Sequence, residues 1–330
     1  MRRGVQLVLL AAGAALLVGL VRAIGVDVLH DQLRGFGPAF VGVVALELVL
    51  DACNARGWQR TLAPSTVGFW RLFWVRQAGT AVNQLTPTAS LGGEAVKAML
   101  LTARVGADDA LASIVAAKLS FAMAQAALVL LGLTTVLTRL HGSPVLRAGL
   151  LLVSAATCAG IAGFFVLQRR GLVATLTGWL WRLGMWRATL EGWRVRGTHL
   201  DARLTALHRQ RPGAFLASVA WHFAAQLVGT LQLFYLLRWL GAPADLTTSL
   251  AIEAFSLVID SALFFVPGRI GVQEGGRILV FTALGLSAAT GLAVALVTRL
   301  NQLTAAAIGL AAFGYFSLTS VPATGSISET

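Results

Sequence analysis

The sequence is poor in charge: only 12% of its 330 residues are Asp, Glu, Lys or Arg, against about 25% in a soluble domain. That shortage excludes an ordinary cytosolic enzyme and a disordered chain, both of which need a hydrated, charged exterior. Cysteine is scarcer still. Cys53 and Cys158 lie far apart in apolar stretches, which excludes a disulfide scaffold, a thiol redox motif and a zinc site. The five histidines (His30, His141, His199, His208 and His222) lack HExxH or other ligand spacing, and most fall in loops. No metal is expected. No Walker A sequence supplies ATP drive and no Gly-x-Ser-x-Gly elbow supplies a nucleophile, so no cofactor is expected either.

What is present is apolar surface: 57% hydrophobic residues and a mean hydropathy of +0.76. A helix needs about 20 apolar residues to cross a bilayer core of about 30 Å. Such runs fall at about 4–24, 38–57, 110–138, 145–167, 213–239 and 288–317. The fold class is therefore an all-α polytopic membrane protein, with residues 1–330 forming a single membrane domain. The first run follows Arg2-Arg3 and reads as a membrane helix with its N-terminus inside. A cleaved signal would have a shorter core and a better small-x-small site than Val21-Arg22-Ala23.

The charge that exists is lopsided, with 26 Lys+Arg against 14 Asp+Glu giving +12. The connection 168–211 holds nine arginines and two acids, Glu191 and Asp201, and so carries seven of that excess. By the positive-inside rule it is cytoplasmic, and the basic balance reports topology, not nucleic acid. Leu172, Trp179, Trp186, Trp193, Leu200 and Leu207 recur every seven residues along it. This pattern predicts an amphipathic helix or helix pair, either lying in the interface against anionic lipid or packed on the protein's own cytoplasmic face.

Two further stretches, about 67–104 and 246–286, are apolar but broken by Pro, Gly and charge, and they match each other. Pro87 is followed by Gly92, Gly93, Glu94 and Lys97; Pro267 is followed by Gly268, Gly271, Gln273, Glu274 and Arg277. Both read Pro-x6-Glu-x2-Lys/Arg, 180 residues apart, and Glu47/Gln226 and Lys118/Arg299 keep nearly the same offset. This is the pattern of a duplication, with repeat one at about 38–138 and repeat two at about 213–318. Three runs separate the copies, so the second is inverted, as in many secondary transporters. The expected architecture is about six spanning helices and two re-entrant helical hairpins with breaks at Pro87, Gly92, Gly93, Pro267, Gly268 and Gly271. Hairpin arms that cross fully are the alternative.

A charge at mid-membrane costs roughly 2.5–3.5 kcal/mol on insertion scales, so Glu94, Lys97, Glu274 and Arg277 must be paired or line a wet cavity. Spacing i,i+3 allows Glu94 to reach Lys97 and Glu274 to reach Arg277. They either fix the hairpins as internal ion pairs or face a substrate, with Asn83, Arg269 and Gln273 beside them. Glu47, Lys118, Asp260 and Arg299 form a second tier, together with Asp51 and Glu253, and each is more simply a bundle partner.

The run Asn83-x3-Pro87-x4-Gly92-Gly93-Glu94-x2-Lys97, with Pro267-Gly268-x2-Gly271-Val272-x-Glu274, resembles the lysylphosphatidylglycerol synthase transmembrane-region family, also called flippase-like. Val266 to Gly276 looks most like the branch found with hopanoid biosynthesis. The resemblance covers roughly residues 5–318. It implies a multi-pass protein of the bacterial inner membrane that moves, or helps to move, a lipid between leaflets. Bifunctional members add a soluble aminoacyltransferase domain, an activity not expected of a chain that stops at Thr330. One departure is Ala117-Lys118-Leu119-Ser120, where many relatives carry an acidic and basic cluster. The leading expectation is a lipid flippase or lipid-transport protein. An integral-membrane lipid-modifying enzyme using Glu94 or Glu274 as a base, and an accessory subunit docking a lipid-biosynthesis enzyme through the Trp/Arg connection, are the alternatives.

Overall fold

The computed structural model describes residues 26–86, 91–139, 148–149, 151–152, 154–160, 201–206, 209–243, 245–262 and 272–319, with Val18, Gly163, Thr175 and Gly197. Among them every regular element is a helix: α1 (Val26–Thr61), α2 (Phe69–Leu85), α3 (Leu91–Val105), α4 (Ala107–Arg139), α5 (Pro212–Trp239), α6 (Leu246–Ala262), α7 (Val272–Ala283) and α8 (Ala288–Thr319). Four segments are long and apolar enough to cross a membrane: Gly35–Thr61, Ala107–Leu137, Pro212–Trp239 and Ala288–Thr319. They coincide with four of the six expected runs. The run at 4–24, parts of 145–167 and most of the 168–211 connection lie outside the described residues; the described parts of 145–167 are helical.

Local chemistry sets the ends. In α1 the pair Gly37-Pro38 interrupts the ladder, Gly37 taking φ 43° and ψ −130° where proline has no N–H to give. After α2, Thr86 is extended (φ −107°, ψ 137°). Its N–H and hydroxyl both turn back to the Val82 carbonyl, at 2.9 and 2.7 Å. Helix α5 opens with Pro212 in its first turn. Helix α6 follows Asp245, whose carboxylate accepts the Thr248 N–H at 2.7 Å, and α8 follows Ser287, whose hydroxyl accepts the Thr290 N–H at 3.0 Å.

Each broken stretch contains two short helices, of 17 and 15 residues in the first and 17 and 12 in the second. At about 1.5 Å per residue none of them is long enough for a core of about 30 Å. The tips at 87–90 and 263–271 lie outside the described residues, and with them Pro87, Pro267, Gly268, Arg269 and Gly271.

The helices interlock across the chain. Helix α1 runs antiparallel to α5: a Cβ at Gly42 would meet Tyr235, Gln232 donates to the Val43 carbonyl at 2.8 Å, and Arg211 donates to the Leu62 carbonyl at 3.0 Å. Helix α2 packs on α8, and α6 packs on α4. Both of these contacts use a glycine of the long helix. A Cβ on Gly309 would strike the Gln77 carbonyl and Ala81, and one on Gly132 would strike Ala254. Close backbone approach of this kind is how helices associate where lipid removes the hydrophobic drive. One core gathers Trp58, Leu72, Val75, Leu101 and Phe313; a second gathers Phe36, Leu237, Ile252, Phe281 and Val297. Val41, Val49, Leu216, Leu231 and Leu318 point outward and are exposed, an apolar exterior suited to lipid.

Candidate functional site

Helix α1 presents Glu47, Asp51, Asn54 and Trp58 at spacings of four, three and four, which places them on one face. Asp51, Asn54 and Trp58 are buried. In a bundle this apolar, each needs a partner. Glu47 Oε2 accepts from Gln232 of α5 at 3.1 Å and from Asn301 of α8 at 2.9 Å. Asp51 pairs with Arg76 of α2 and accepts from Gln77 Nε2 at 2.6 Å. Asn54 Oδ1 lies 2.8 Å from His222 Nδ1 of α5, and Trp58 Nε1 donates to the Ser113 hydroxyl of α4 at 3.3 Å. The stripe therefore ties α1 to four other helices.

Beside it, α2 and α3 come together at Gly79 and Gly93. A Cβ on Gly93 would collide with the Gly79 carbonyl and with Asn83, and one on Gly79 would lie 2.6 Å from the Lys97 stem. Asn83 Oδ1 accepts the Gly93 N–H at 2.6 Å, and its amide faces Glu94 Oε1 at 3.4 Å. That same oxygen accepts from Lys97 Nζ at 3.0 Å and from Lys118 Nζ of α4 at 2.8 Å. One carboxylate thus joins two lysines from different helices. The Lys97 ammonium also lies 5.9 Å from the Trp58 ring centroid, at the outer limit of a cation–π contact.

These groups enclose a cavity of about 150 Å³. Arg76, Asn83, Glu94, Lys97, Lys118 and His222 contribute its polar lining, and Trp58 and Phe121 contribute aromatic walls. Arg76, Lys97 and Lys118 face two carboxylates, Glu94 and the Asp51 behind Arg76, which leaves an excess of one positive charge. An anion entering here would take hydrogen bonds from lysines that Glu94 now holds, so release of Glu94 and capture of the guest are linked. His222 sits edge-on to Phe121, with ring centroids 5.6 Å apart. With Nδ1–H donating to Asn54, Nε2 remains an acceptor, buried and without a partner among the described residues.

The structure thus brings Asn83, Glu94 and Lys97 to one cavity and adds Lys118 from the second tier. Gly92 and Gly93 open α3 beside them. Glu47 lies one step away, in the adjoining pocket with Asp51, Gln77 and Asn301. Arg299 is buried on α8 and donates to Gln302 at 3.2 Å, outside the cavity lining. Arg277 is a half-buried residue of α7. The side chains of Asp260, Gln273 and Glu274 lie outside the described residues. Sequence reasoning passed over Asn54, Trp58, Thr80 and His222. The 47-51-54-58 spacing could have found the first two. A single histidine within an apolar run carries no such signal.

A family model described as "Lysylphosphatidylglycerol synthase TM region" matches residues 5–309. No curated protein and no solved structure matches the chain.

Proposed function

The chain belongs to the lysylphosphatidylglycerol synthase TM region family, a lipid-related membrane family, and from that premise we propose that it moves a polar-headgroup lipid between the leaflets of the bacterial inner membrane. The observation that carries this reading is the cavity between α1, α2, α3, α4 and α5, where two lysines converge on Glu94 and Arg76, paired with Asp51, lines the same space. A lipid crossing the membrane must bring its headgroup past the apolar core, and ion-paired, water-sized space is what lowers that barrier. Lys97, Lys118 and Arg76 offer charge-assisted hydrogen bonds to headgroup oxygens, and Asn83 a neutral one. Release of the lysines from Glu94 is the step at which the guest is taken up.

The architecture proposed for this work is an inverted repeat with two re-entrant hairpins, α2–α3 and α6–α7. Three observations support it. The hairpin arms are shorter than a bilayer core, α1 and α5 run antiparallel, and the exchange of α2 onto α8 is answered by that of α6 onto α4. In this frame Arg269, Gln273, Glu274 and Arg277 form the second hairpin's counterpart of Asn83, Glu94 and Lys97. The N-terminus is cytoplasmic, and the basic 168–211 connection faces anionic lipid or a lipid-biosynthesis enzyme on that side. Hopanoid-type lipids are one substrate class, suggested by the run from Val266 to Gly276.

The test is leaflet exchange of a fluorescent phosphatidylglycerol in liposomes. Glu94→Gln keeps an acceptor oxygen but removes the negative charge that assists two hydrogen bonds, each of about 1.5–3 kcal/mol when charged. Exchange should fall at least about tenfold, with the lipid recovered unaltered and the thermal melt retained. Wild-type exchange by both Glu94→Gln and Glu274→Gln would contradict the proposal, and a covalently altered lipid would point to an enzyme instead.

A further inference from the structure

A second, larger cavity of about 550 Å³ opens at the basic end of the bundle, where the ends of α1 and α3 and the start of α4 meet residues 203–206 and 210–211. Its cations are Arg104, Arg203 and Arg211, and its carboxylate is Asp109, paired with Arg203. Arg211 donates one nitrogen to the Leu62 carbonyl at 3.0 Å, which fixes its direction without neutralising it. Arg104 has a like-charged neighbour in Arg71. The Arg71 guanidinium lies 5.3 Å from the Phe316 ring centroid, and its Nε is buried without a partner among the described residues. Arginines left in excess around an open space favour an anion that accepts from several guanidinium groups at once, and a phosphate does this.

The two cavities share one wall. Trp58 lines the inner one, and Thr61 and Ser113 line the outer one. Trp58 Nε1 donates to the Ser113 hydroxyl at 3.3 Å, and the Thr61 hydroxyl is shared between the Trp58 carbonyl of its own helix at 2.7 Å and the Ser113 carbonyl at 3.0 Å. One turn of α1 and one of α4 therefore separate them, joined by hydrogen bonds that can be remade without unfolding either helix.

We propose that the outer cavity is a separate phosphate-binding vestibule, in which Arg104, Arg203 and Arg211 hold an anionic phosphate group before it passes the Trp58–Ser113 partition. The idea rests on the proposed function for its direction of travel, but the vestibule itself stands on its own residues. A membrane phospholipid and a free phosphate share the recognising chemistry. The vestibule is open and its cations are partly exposed, so both can reach it.

The experiment is native mass spectrometry of the full chain extracted from vesicles of equal phosphatidylglycerol and phosphatidylcholine. Wild type should retain two phosphatidylglycerol molecules. Arg104→Gln with Arg203→Gln should retain one, the inner lipid also reporting that the variant has folded. Lys97→Gln with Lys118→Gln should also retain one, by losing the inner site. Two lipids on the arginine variant would overturn the vestibule. Two on the lysine variant would overturn the inner headgroup site and leave the vestibule standing. Inorganic phosphate at millimolar concentration that displaces one lipid from wild type, but none from the arginine variant, would place the free anion in the vestibule. Retention of both lipids in its presence assigns the vestibule to the phospholipid.

Discussion

Helices α1 to α4 and α5 to α8 have the same order of long, short, short and long, yet their interior faces carry different chemistry. The face of α1 bears Glu47, Asp51, Asn54 and Trp58. The positions 179 residues later on α5 are Gln226, Thr230, Leu233 and Leu237, and all four are buried. Burial is kept while charge fades to amide, hydroxyl and methyl. On α5 the first face meets neighbouring positions instead, Gln232 at Glu47 and His222 at Asn54, while Leu233 and Leu237 pack in the core with Phe36 and Val43. Two helices of similar length and depth can thus differ in whether the stripe they bury is ionic or largely apolar. Their stability consequences differ accordingly, because removing one partner of a buried ion pair costs far more than trimming a hydroxyl satisfied within its own helix.

Matched substitutions probe that contrast. Asp51→Ala strands Arg76 and Gln77 and should destabilise by about 3–5 kcal/mol, seen as loss of the folded fraction in detergent by thermal melting. A stable Asp51→Ala would mean that the pair is not structural. Gly93→Ala, which forces α3 away from Gly79, should cost about 1–3 kcal/mol, whereas Gly275→Ala on α7, with open space at its Cβ, should melt as wild type. Equal melts for the two would remove the close approach from the account. Thr230→Val, at the position matching Asp51, loses a hydroxyl that donates only to Gln226 of its own helix. The change should be under about 1 kcal/mol, with leaflet exchange unaltered.

Much of this was legible in the sequence, and the limits have physical causes. Four of the spans showed as long apolar runs, and the broken stretches announced short helices through Pro, Gly and charge. The Glu94–Lys97 contact followed from i,i+3 spacing. Lys118 did not, because its partner is on another helix, and only the packing of α3 against α4 brings a lysine 24 positions on to the same carboxylate oxygen. Asn54 and His222 meet across 168 residues, in an α1–α5 pairing that no local pattern encodes. Glu47 and Asp51 read as second-tier charges paired within the bundle, but with no partner that the sequence could name. Their shared face becomes meaningful once α2, α5 and α8 supply Arg76, Gln232 and Asn301.

The central claim is that the cationic cavity of the first four helices receives an anionic lipid headgroup. Its most direct test compares leaflet exchange of fluorescent phosphatidylglycerol and phosphatidylcholine in liposomes, for wild type and for Lys97→Gln with Lys118→Gln. Two lost charge-assisted bonds should slow phosphatidylglycerol at least about tenfold and erase any preference over phosphatidylcholine, measured on the fraction of the variant that remains folded. A double variant that folds and still exchanges phosphatidylglycerol at the wild-type rate would contradict the account.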